Sequence, residues 1–336
     1  VENGFSPEEG EVFNRGETAR YAEEFSKPAF LAREASRFIR QNKDNPFVLF
    51  VNFLEPHMPF FGPRDDQHAP AAVTLPENFE NVPADKQPLK TRLCQAGMTW
   101  LWGVEKETDW RQFIARYWGL CSLVDTHVGT ILATLEDCGL DDNTIVVYTS
   151  DHGDMMGSHQ MVAKCTMFQE AVRVPLMIRL PGQTQHRRVD GPVSQVDLVP
   201  TLLDLMDQPV PPHLQGQSLR DLLEKKTAAE RDAFIEWNGP NNGFGDKGGS
   251  VSVPEFMKDL ATREEIDRAT TDPVRTIIAP DGWKYNRSTI DEDELYDLNN
   301  DPGETDNLFG DDRYAGLVED LRKRIEAWQD QTGDEA

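Results

Sequence analysis

The stretch TIVVYTSDHGDMMGSHQMVAKC, residues 144–165, passes from an apolar run to acidic and imidazole side chains within two positions. The apolar run predicts a buried strand over residues 144–149. Ligands of open parallel sheets bind beyond the carboxyl ends of the strands, where this sequence places Asp151, His152 and Asp154. A carboxylate beside an imidazole offers an oxygen and a nitrogen to a divalent cation. The stretch therefore predicts a strand that leads into a metal site.

Apolar periodicity predicts alternating strands and helices over the first part of the chain. The strands are predicted at residues 47–53, 144–149 and 174–180, and the helices at residues 28–42, 110–137 and 196–206. Such alternation is typical of an α/β fold with a largely parallel central sheet flanked by helices. Residues 59–108 are rich in proline and polar side chains, and they predict a long functional loop.

The pattern changes near residue 226. Short runs that favour strands (AFIEW, VRTIIA and WKYNR) are interrupted by the glycine-rich residues 239–250, for which we predict a loop. A helical pattern, AGLVEDLRKRIEAWQDQ, closes the chain. We predict two domains: an α/β core at residues 1–226, and a smaller C-terminal α+β subdomain at residues 227–336 that contains a short antiparallel sheet.

Composition excludes several classes of partner. The chain has 336 residues with a net charge of −25 and a pI near 4.6, so its surface repels nucleic acid and anionic lipid. No apolar run approaches the ~20 residues of a membrane span, and the polar start of the chain resembles no secretory signal. The four cysteines show no paired spacing. We therefore expect neither a nucleic-acid partner nor a membrane partner.

Two further side chains extend the predicted site. The strand at 47–53 leads to His57, and Lys164 offers a compact positive charge that can hold an anionic oxygen. Together with a metal, these groups indicate transfer or hydrolysis of a tetrahedral anion. Taken singly, each residue has a structural alternative: Asp151 can cap a turn, His152 and Lys164 can be solvated, and His57 can belong to a rigid proline loop.

Several segments together resemble the sulfatase family of the alkaline-phosphatase superfamily. They occur in family order from about residue 20 to the end: NFLEPHMPF, TSDHGDMMGSHQMVAKCTMFQEAVRVPLMIRLPG, VSQVDLVPTLLDL and LYDLNNDPGETDNL. The resemblance implies that Asp151 and His152 bind a divalent cation, most often Ca²⁺, with Mg²⁺ or Mn²⁺ as alternatives. It also implies that Lys164 contacts the nucleophile and a sulfate oxygen, and that His57 binds the sulfate near the leaving oxygen. His159 is expected either to touch the substrate or to have a structural role in the loop.

The family nucleophile is a formylglycine made within a Cys/Ser-x-Pro-x-Arg motif, and no cysteine of this chain lies in such a motif. Ser26 is followed by Pro28, but Phe30 stands where the motif requires arginine. We therefore expect the chain to lack the first third of a sulfatase. The missing N-terminal segment, with the formylglycine and further metal ligands, is expected as a partner.

The resemblance implies a sulfuric ester hydrolase that acts on a small-molecule or carbohydrate sulfate ester, and the family favours a periplasmic or extracellular location. One alternative is a phosphonate monoester or phosphodiester hydrolase of the same superfamily, since these enzymes can share the Asp-His pair. The other is a non-catalytic fragment that binds sulfated ligands or a partner.

Overall fold

The computed structural model describes residues 22–84, 86–104, 106–225, 228–238, 255–290 and 292–335. Contacts within the chain define two compact units. Unit 1 comprises Val1–Pro76, Thr99–Ser150 and Pro175–Thr184, and unit 2 comprises Glu77–Met98, Asp151–Val174 and Gln185–Ala336. The predicted domain boundary at residues 226 and 227, and the glycine-rich loop at 239–250, lie outside the described residues. The division into domains 1–226 and 227–336 therefore stays a prediction.

Helices and short strands alternate along the described chain. The helices are α1 (Lys27–Asn42), α2 (Leu89–Trp102), α3 (Glu107–Asp137), α4 (Gln169–Val172), α5 (Leu198–Leu205), α6 (Arg220–Lys225), α7 (Glu255–Lys258), α8 (Arg263–Thr271) and α9 (Ala315–Thr332). The strands are β1 (Val146–Thr149), β2 (Leu176–Arg179), β3 (Ala233–Trp237), β4 (Val274–Ile278), β5 (Trp283–Ser288) and β6 (Glu294–Asp297). None of the described helices is long and apolar enough to cross a membrane.

Unit 1 is built on the packing of α1 against α3, the two helices that periodicity predicted most clearly. The Oγ of Ser26 caps α1 by accepting a hydrogen bond from the Ala29 amide at 3.2 Å. The apolar face of α1 is buried, and the Oγ1 of Thr134 on α3 donates to the Oγ of Ser36 on α1 at 2.9 Å. The role of Ser26 is therefore that of a helix cap.

The pairing of β1 with β2 corrects the predicted parallel sheet. The two strands are antiparallel, with Val146 opposite Arg179 and Thr149 opposite Leu176. A parallel pair needs a crossover that returns the chain to the starting edge, usually a full helix. The connection between these strands contains only the four-residue α4, so the chain turns back along the neighbouring strand. Every strand pair among the described residues is antiparallel.

The segment at 47–53 also differs from its prediction, because it forms no strand among the described residues. Its backbone has no hydrogen bond to another described segment. Its side chains nevertheless alternate as they would on a strand: Phe47 and Leu49 are half-buried, whereas Val48 and Phe50 are each 87% exposed. The segment therefore has the alternation of a strand without a paired neighbour.

Unit 2 contains a four-stranded antiparallel sheet in the order β3-β4-β5-β6. Ile277, Tyr285 and Leu295 of this sheet pack against Leu321 and Ile325 of α9, all of them fully buried. The C-terminal antiparallel sheet was predicted from its first three strands. Strand β6 overlaps the LYDL sequence of the C-terminal motif, and it was not predicted from the sequence.

The predicted loop at 59–108 requires a second correction, because it contains the fourteen-residue helix α2. Leu93 and Cys94 on this helix are buried. Lys90 and Thr91 are buried beside them, so the buried positions of α2 show no simple apolar spacing. Pro88 precedes the helix, and the surrounding proline-rich composition also concealed the helical pattern.

Candidate active site

The loop that follows β1 holds four of the predicted site residues. We define the Lys164 loop as residues 151–168, between β1 and α4. Its path is set close to its start by Gly153, whose amide donates to the carbonyl of Ala171 at 2.8 Å. A Cβ on Gly153 would lie 1.9 Å from the carbonyl oxygen of Glu170, so no other residue fits this approach. The glycine thus holds the start of the loop against its end.

Asp151 and His152 form a donor pair at this turn. The Nδ1 of His152 lies 2.8 Å from the carbonyl oxygen of Gly153, which places the proton on Nδ1 and leaves Nε2 as the acceptor nitrogen. Nε2 lies 3.5 Å from Oδ2 of Asp151. An imidazole acceptor and a carboxylate oxygen at this separation fit one divalent cation.

Two donors do not complete a metal site. Across the described ranges and their gaps, no group of three or more histidine, cysteine, aspartate or glutamate side chains is gathered for a metal ion. The chemistry of Asp151 and His152 therefore fits part of a coordination sphere, and their role as metal ligands stays a prediction.

Asp154 has a structural position in the same loop. Its Oδ1 accepts hydrogen bonds from the amides of Met156, at 3.2 Å, and Ala163, at 2.9 Å. Burial raises the pKa of the Asp154 carboxyl, and these two amides and the charge of Lys164 oppose that rise. Asp154 thereby anchors the residue directly before Lys164.

Lys164 itself is half-buried and lies between two residues in the left-handed region. Ala163 has φ 66° and Cys165 has φ 90°. Ala163 is also buried, and Thr166 is buried with its Oγ1 at 3.6 Å from the sulfur of Met155. The backbone on both sides of Lys164 is thus constrained.

His159 is fully buried, with 0% of its surface exposed. Its Nδ1 donates to the carbonyl of Asn81 at 2.8 Å, and its Nε2 lies 3.1 Å from the Nδ2 of Asn78. Burial lowers the pKa of His159, so the ring is held neutral. These contacts favour the structural alternative for His159 over contact with substrate.

His57 lies in unit 1, in an exposed turn after residues 47–53. Its Nδ1 lies 2.9 Å from the carbonyl oxygen of Met58, and its amide donates to the carbonyl of Leu54 at 3.0 Å. The peptide bonds before Pro56 and Pro59 are cis. The other four candidates, Asp151, His152, His159 and Lys164, share the Lys164 loop in unit 2.

Sequence reasoning missed a buried ion pair behind the Lys164 loop. The Nζ of Lys284 and the Oε1 of Glu304 are 2.5 Å apart, and both side chains are completely buried. Lys284 also donates to the carbonyl of Met167, and Glu304 accepts from the amide of Gln169 at 2.5 Å. Burial raises the pKa of Glu304 to about 7, against the attraction of Lys284. Glu304 belongs to the C-terminal motif LYDLNNDPGETDNL, and this motif was the sequence signal that could have pointed to it.

The α/β fold and the motif-bearing Lys164 loop agree with the resemblance to the alkaline-phosphatase superfamily. The sulfatase family model matches residues 6–208, and the chain belongs to the sulfatase family.

Three known proteins illustrate the similarity. The chain is 30% identical over 309 residues to the uncharacterized sulfatase YidJ of Escherichia coli K12, covering 90% of this chain and 55% of that protein. It is 27% identical to an arylsulfatase of Clostridium perfringens, covering 90% of this chain and 58% of the relative. Its fold matches a phosphonate monoester hydrolase from Silicibacter pomeroyi with a TM-score of 0.78, at 23% identity, covering 96% and 63% of the two chains. The chain thus spans a little over half the length of the two curated relatives.

Proposed function

We propose that this chain provides the metal-and-lysine part of a sulfuric ester hydrolase. The observation that carries the proposal is the pairing of His152 Nε2 with Asp151 Oδ2 on the loop that also holds Lys164. One loop thereby combines two side chains that can bind a cation with the ammonium group of a lysine. Membership of the sulfatase family supports the same assignment.

Asp151 and His152 are proposed to bind a divalent cation, with Ca²⁺ preferred and Mg²⁺ or Mn²⁺ as alternatives. A bound cation would polarise a sulfate oxygen as a Lewis acid. The hydrogen bond from His152 Nδ1 to Gly153 orients the ring and favours the acceptor form of Nε2. Further ligands are required, and we propose that they come from outside this chain.

Lys164 is proposed to bind the sulfate group and stabilise the negative charge that builds on its oxygens in the transition state. Its ammonium group is held on a constrained backbone, so little reorganisation is required when charge develops. His57 is proposed to bind the sulfate near the leaving oxygen, on the strength of its histidine-proline motif. His159 is left out of the substrate contacts because its ring is buried.

The nucleophile is proposed to be a formylglycine from a segment outside this chain, because no cysteine here lies in a Cys/Ser-x-Pro-x-Arg motif. The substrate is proposed to be a small-molecule or carbohydrate sulfate ester. A periplasmic or extracellular location is proposed from the family.

The proposal is tested in two stages. Calorimetry first measures Ca²⁺ binding by the 336-residue chain, and inorganic sulfate is then titrated with and without Ca²⁺. Next, the chain is co-expressed with a formylglycine-bearing segment and assayed on 4-nitrophenyl sulfate. We expect Lys164→Ala to keep Ca²⁺ affinity and reduce kcat by a factor on the order of 10²–10³, as for loss of an oxyanion donor. An unchanged kcat in Lys164→Ala would overturn the role of the lysine.

A phosphonate monoester hydrolase is the second candidate, favoured by the Asp-His pair and by the fold shared with the Silicibacter pomeroyi enzyme. Comparing kcat/KM for an aryl sulfate with that for an aryl phosphonate decides between the two activities. If neither ester is hydrolysed while sulfate still binds, the non-catalytic alternative is supported.

A further inference from the structure

The C-terminal motif DPGETDNL, residues 301–308, places a carboxylate inside unit 2. Asp301 builds its turn: its carbonyl accepts from the amide of Glu304 at 3.2 Å, and its Oδ2 accepts from the amides of Thr305 and Asp306 at 2.7 and 2.9 Å. Glu304 lies in the left-handed region, with φ 52°, and none of its surface is exposed. The turn thus directs a charged side chain inward, which no surface role requires.

The inward carboxylate holds the C-terminal end of the Lys164 loop. Oε2 of Glu304 accepts from the amide of Gln169 at 2.5 Å, while its Oε1 binds the Nζ of Lys284. The same Nζ donates to the carbonyl of Met167. The ion pair therefore satisfies a carbonyl and an amide on either side of Phe168.

The side chain of Phe168 and the residues after it have a second group of contacts. Its ring stacks on His159, with 4.1 Å between the centroids. The Nδ2 of Asn78 donates to Oε1 of Glu170 at 2.8 Å and to the carbonyl of Gly303 at 3.1 Å. These bonds join the turn that carries Glu304 to the end of the loop.

Lys164 lies three residues before Met167, and its preceding residue Ala163 is held by Asp154. The loop around the lysine is thus fixed on both sides, by Asp154 before it and by the Lys284–Glu304 pair after it. Breaking a buried ion pair leaves one charge uncompensated, so its removal disturbs the groups that it binds. A displacement at Met167 therefore falls on the three residues between the two anchors, and Lys164 is one of them.

We propose that Glu304 and Lys284 are positioning residues for Lys164, and that the C-terminal motif serves to hold the Lys164 loop in place. This inference rests on the proposed function only in assigning Lys164 to the anion. The motif acts through the Met167 carbonyl and the Gln169 amide, and neither charged residue touches the substrate.

The test compares Glu304→Gln with a matched control in the full chain. The control is Asp334→Asn, which removes the charge of the partner of the buried Arg275 in the same unit. The two carboxylate oxygens of Asp334 lie 2.5 and 2.7 Å from the guanidinium of Arg275. Hydrogen exchange is followed for peptides that cover residues 163–169. The acylation rate of Lys164 is measured by mass spectrometry across a pH series.

In Glu304→Gln, we expect hydrogen exchange at residues 163–169 to be faster than in wild type by about tenfold or more. In Asp334→Asn, we expect exchange at the same residues to stay within about twofold of wild type. The pH profile of Lys164 acylation should shift in Glu304→Gln alone. Equal acceleration in both variants, or an unchanged Lys164 profile in Glu304→Gln, would overturn the positioning role.

A second variant keeps the test decisive if Glu304→Gln does not fold. In Lys284→Met/Glu304→Leu both charges are replaced by apolar side chains, an exchange that cores often tolerate. Met167 and Gln169 lose their partners there too, so we expect the same faster exchange at 163–169. A folded double variant with wild-type exchange would contradict the proposal. A separate experiment measures whether inorganic sulfate protects Lys164 from acylation. If sulfate gives no protection, the result counts against the proposed function and leaves the positioning role untouched.

Discussion

The imidazole of His159 stacks on the ring of Phe168 in the interior of the Lys164 loop, with 4.1 Å between centroids and 17° between planes. Both ring nitrogens of the histidine have partners in Asn78 and Asn81. The loop is therefore built around a buried polar aromatic ring, and this histidine is not the one proposed to bind the cation.

His159→Ala should destabilise the protein without a direct effect on anion binding. The substitution removes the stacking with Phe168 and leaves the carbonyl of Asn81 without the ring donor of His159, for a loss of roughly 2–4 kcal/mol in the free energy of unfolding. Urea denaturation measures this loss. The exposed His186 provides the control, since His186→Ala should change stability by less than about 0.5 kcal/mol. Unchanged stability with weaker sulfate binding in His159→Ala would restore the substrate role.

Asp151→Asn should weaken cation binding while the fold is kept. The amide has the same shape as the carboxylate but lacks the negative charge that a hard cation requires, so we expect at least about tenfold weaker Ca²⁺ binding. Calorimetry gives the affinity, and circular dichroism checks the fold. Asp190→Asn, at an exposed carboxylate that pairs with Arg188, serves as the control. Equal Ca²⁺ affinity in the Asp151 variant and wild type would refute the ligand role.

The pKa of Glu304 predicts a pH dependence of stability. Burial raises this pKa to about 7 from an ordinary 4.5, so between these pH values the native carboxyl holds a proton that the unfolded state releases, and it forms a charged pair with Lys284 at higher pH. The contribution of Glu304 is therefore greatest below pH 4.5 and is lost as the pH rises towards 7. We expect the difference in unfolding free energy between wild type and Glu304→Gln to fall by up to about 3 kcal/mol over this range.

Denaturant titrations at a series of pH values measure that difference. Lys284 and Glu170 face the same carboxyl, and both are kept in the variant, so the subtraction isolates Glu304. If the difference in unfolding free energy rises between pH 4.5 and 7, the attraction of Lys284 has a larger effect on the Glu304 carboxyl than burial has.

The unpaired segment at 47–53 should promote self-association. Val48 and Phe50 expose most of their apolar surface, and the backbone around them pairs with no strand in the described part of the chain. We expect Val48→Thr/Phe50→Ser to bind less of a dye that reports exposed apolar surface, and to show less self-association by light scattering. The stability of the double variant should change little. Phe47→Ser is the contrasting variant. Its ring packs edge-on against Phe38 at 5.7 Å, so it should cost about 1–3 kcal/mol. Equal scattering in wild type and the double variant would show that this segment does not drive association.

The sequence predicted the elements whose signal is local. Helices α1, α3 and α9 follow from apolar spacing along one face, and strands β3, β4 and β5 follow from short runs of strand-forming residues. The α/β class and the C-terminal antiparallel sheet are confirmed. Helix α2 was missed because it buries polar side chains, Lys90 and Thr91, along with apolar ones, and because its surroundings are rich in proline.

Properties set by distant partners could not be predicted. The direction of β2 depends on how the chain folds back through residues 150–175, and periodicity carries no information on direction. The burial of His159 depends on Asn78, which lies 81 positions earlier, and on Phe168. The assignments of Asp151, His152, His57 and Lys164 remain predictions, which the experiments above address.

Five residues other than glycine lie in the left-handed region within the ten positions from 156 to 165: Met156, His159, Gln160, Ala163 and Cys165. Each such conformation costs about 1–2 kcal/mol, so the loop stores conformational energy that its anchors must hold. When an anchoring contact is lost, we expect the backbone to relax away from these strained φ values. Loss of either anchor, Asp154 or the Lys284–Glu304 pair, should therefore move Lys164 without any change in the lysine itself.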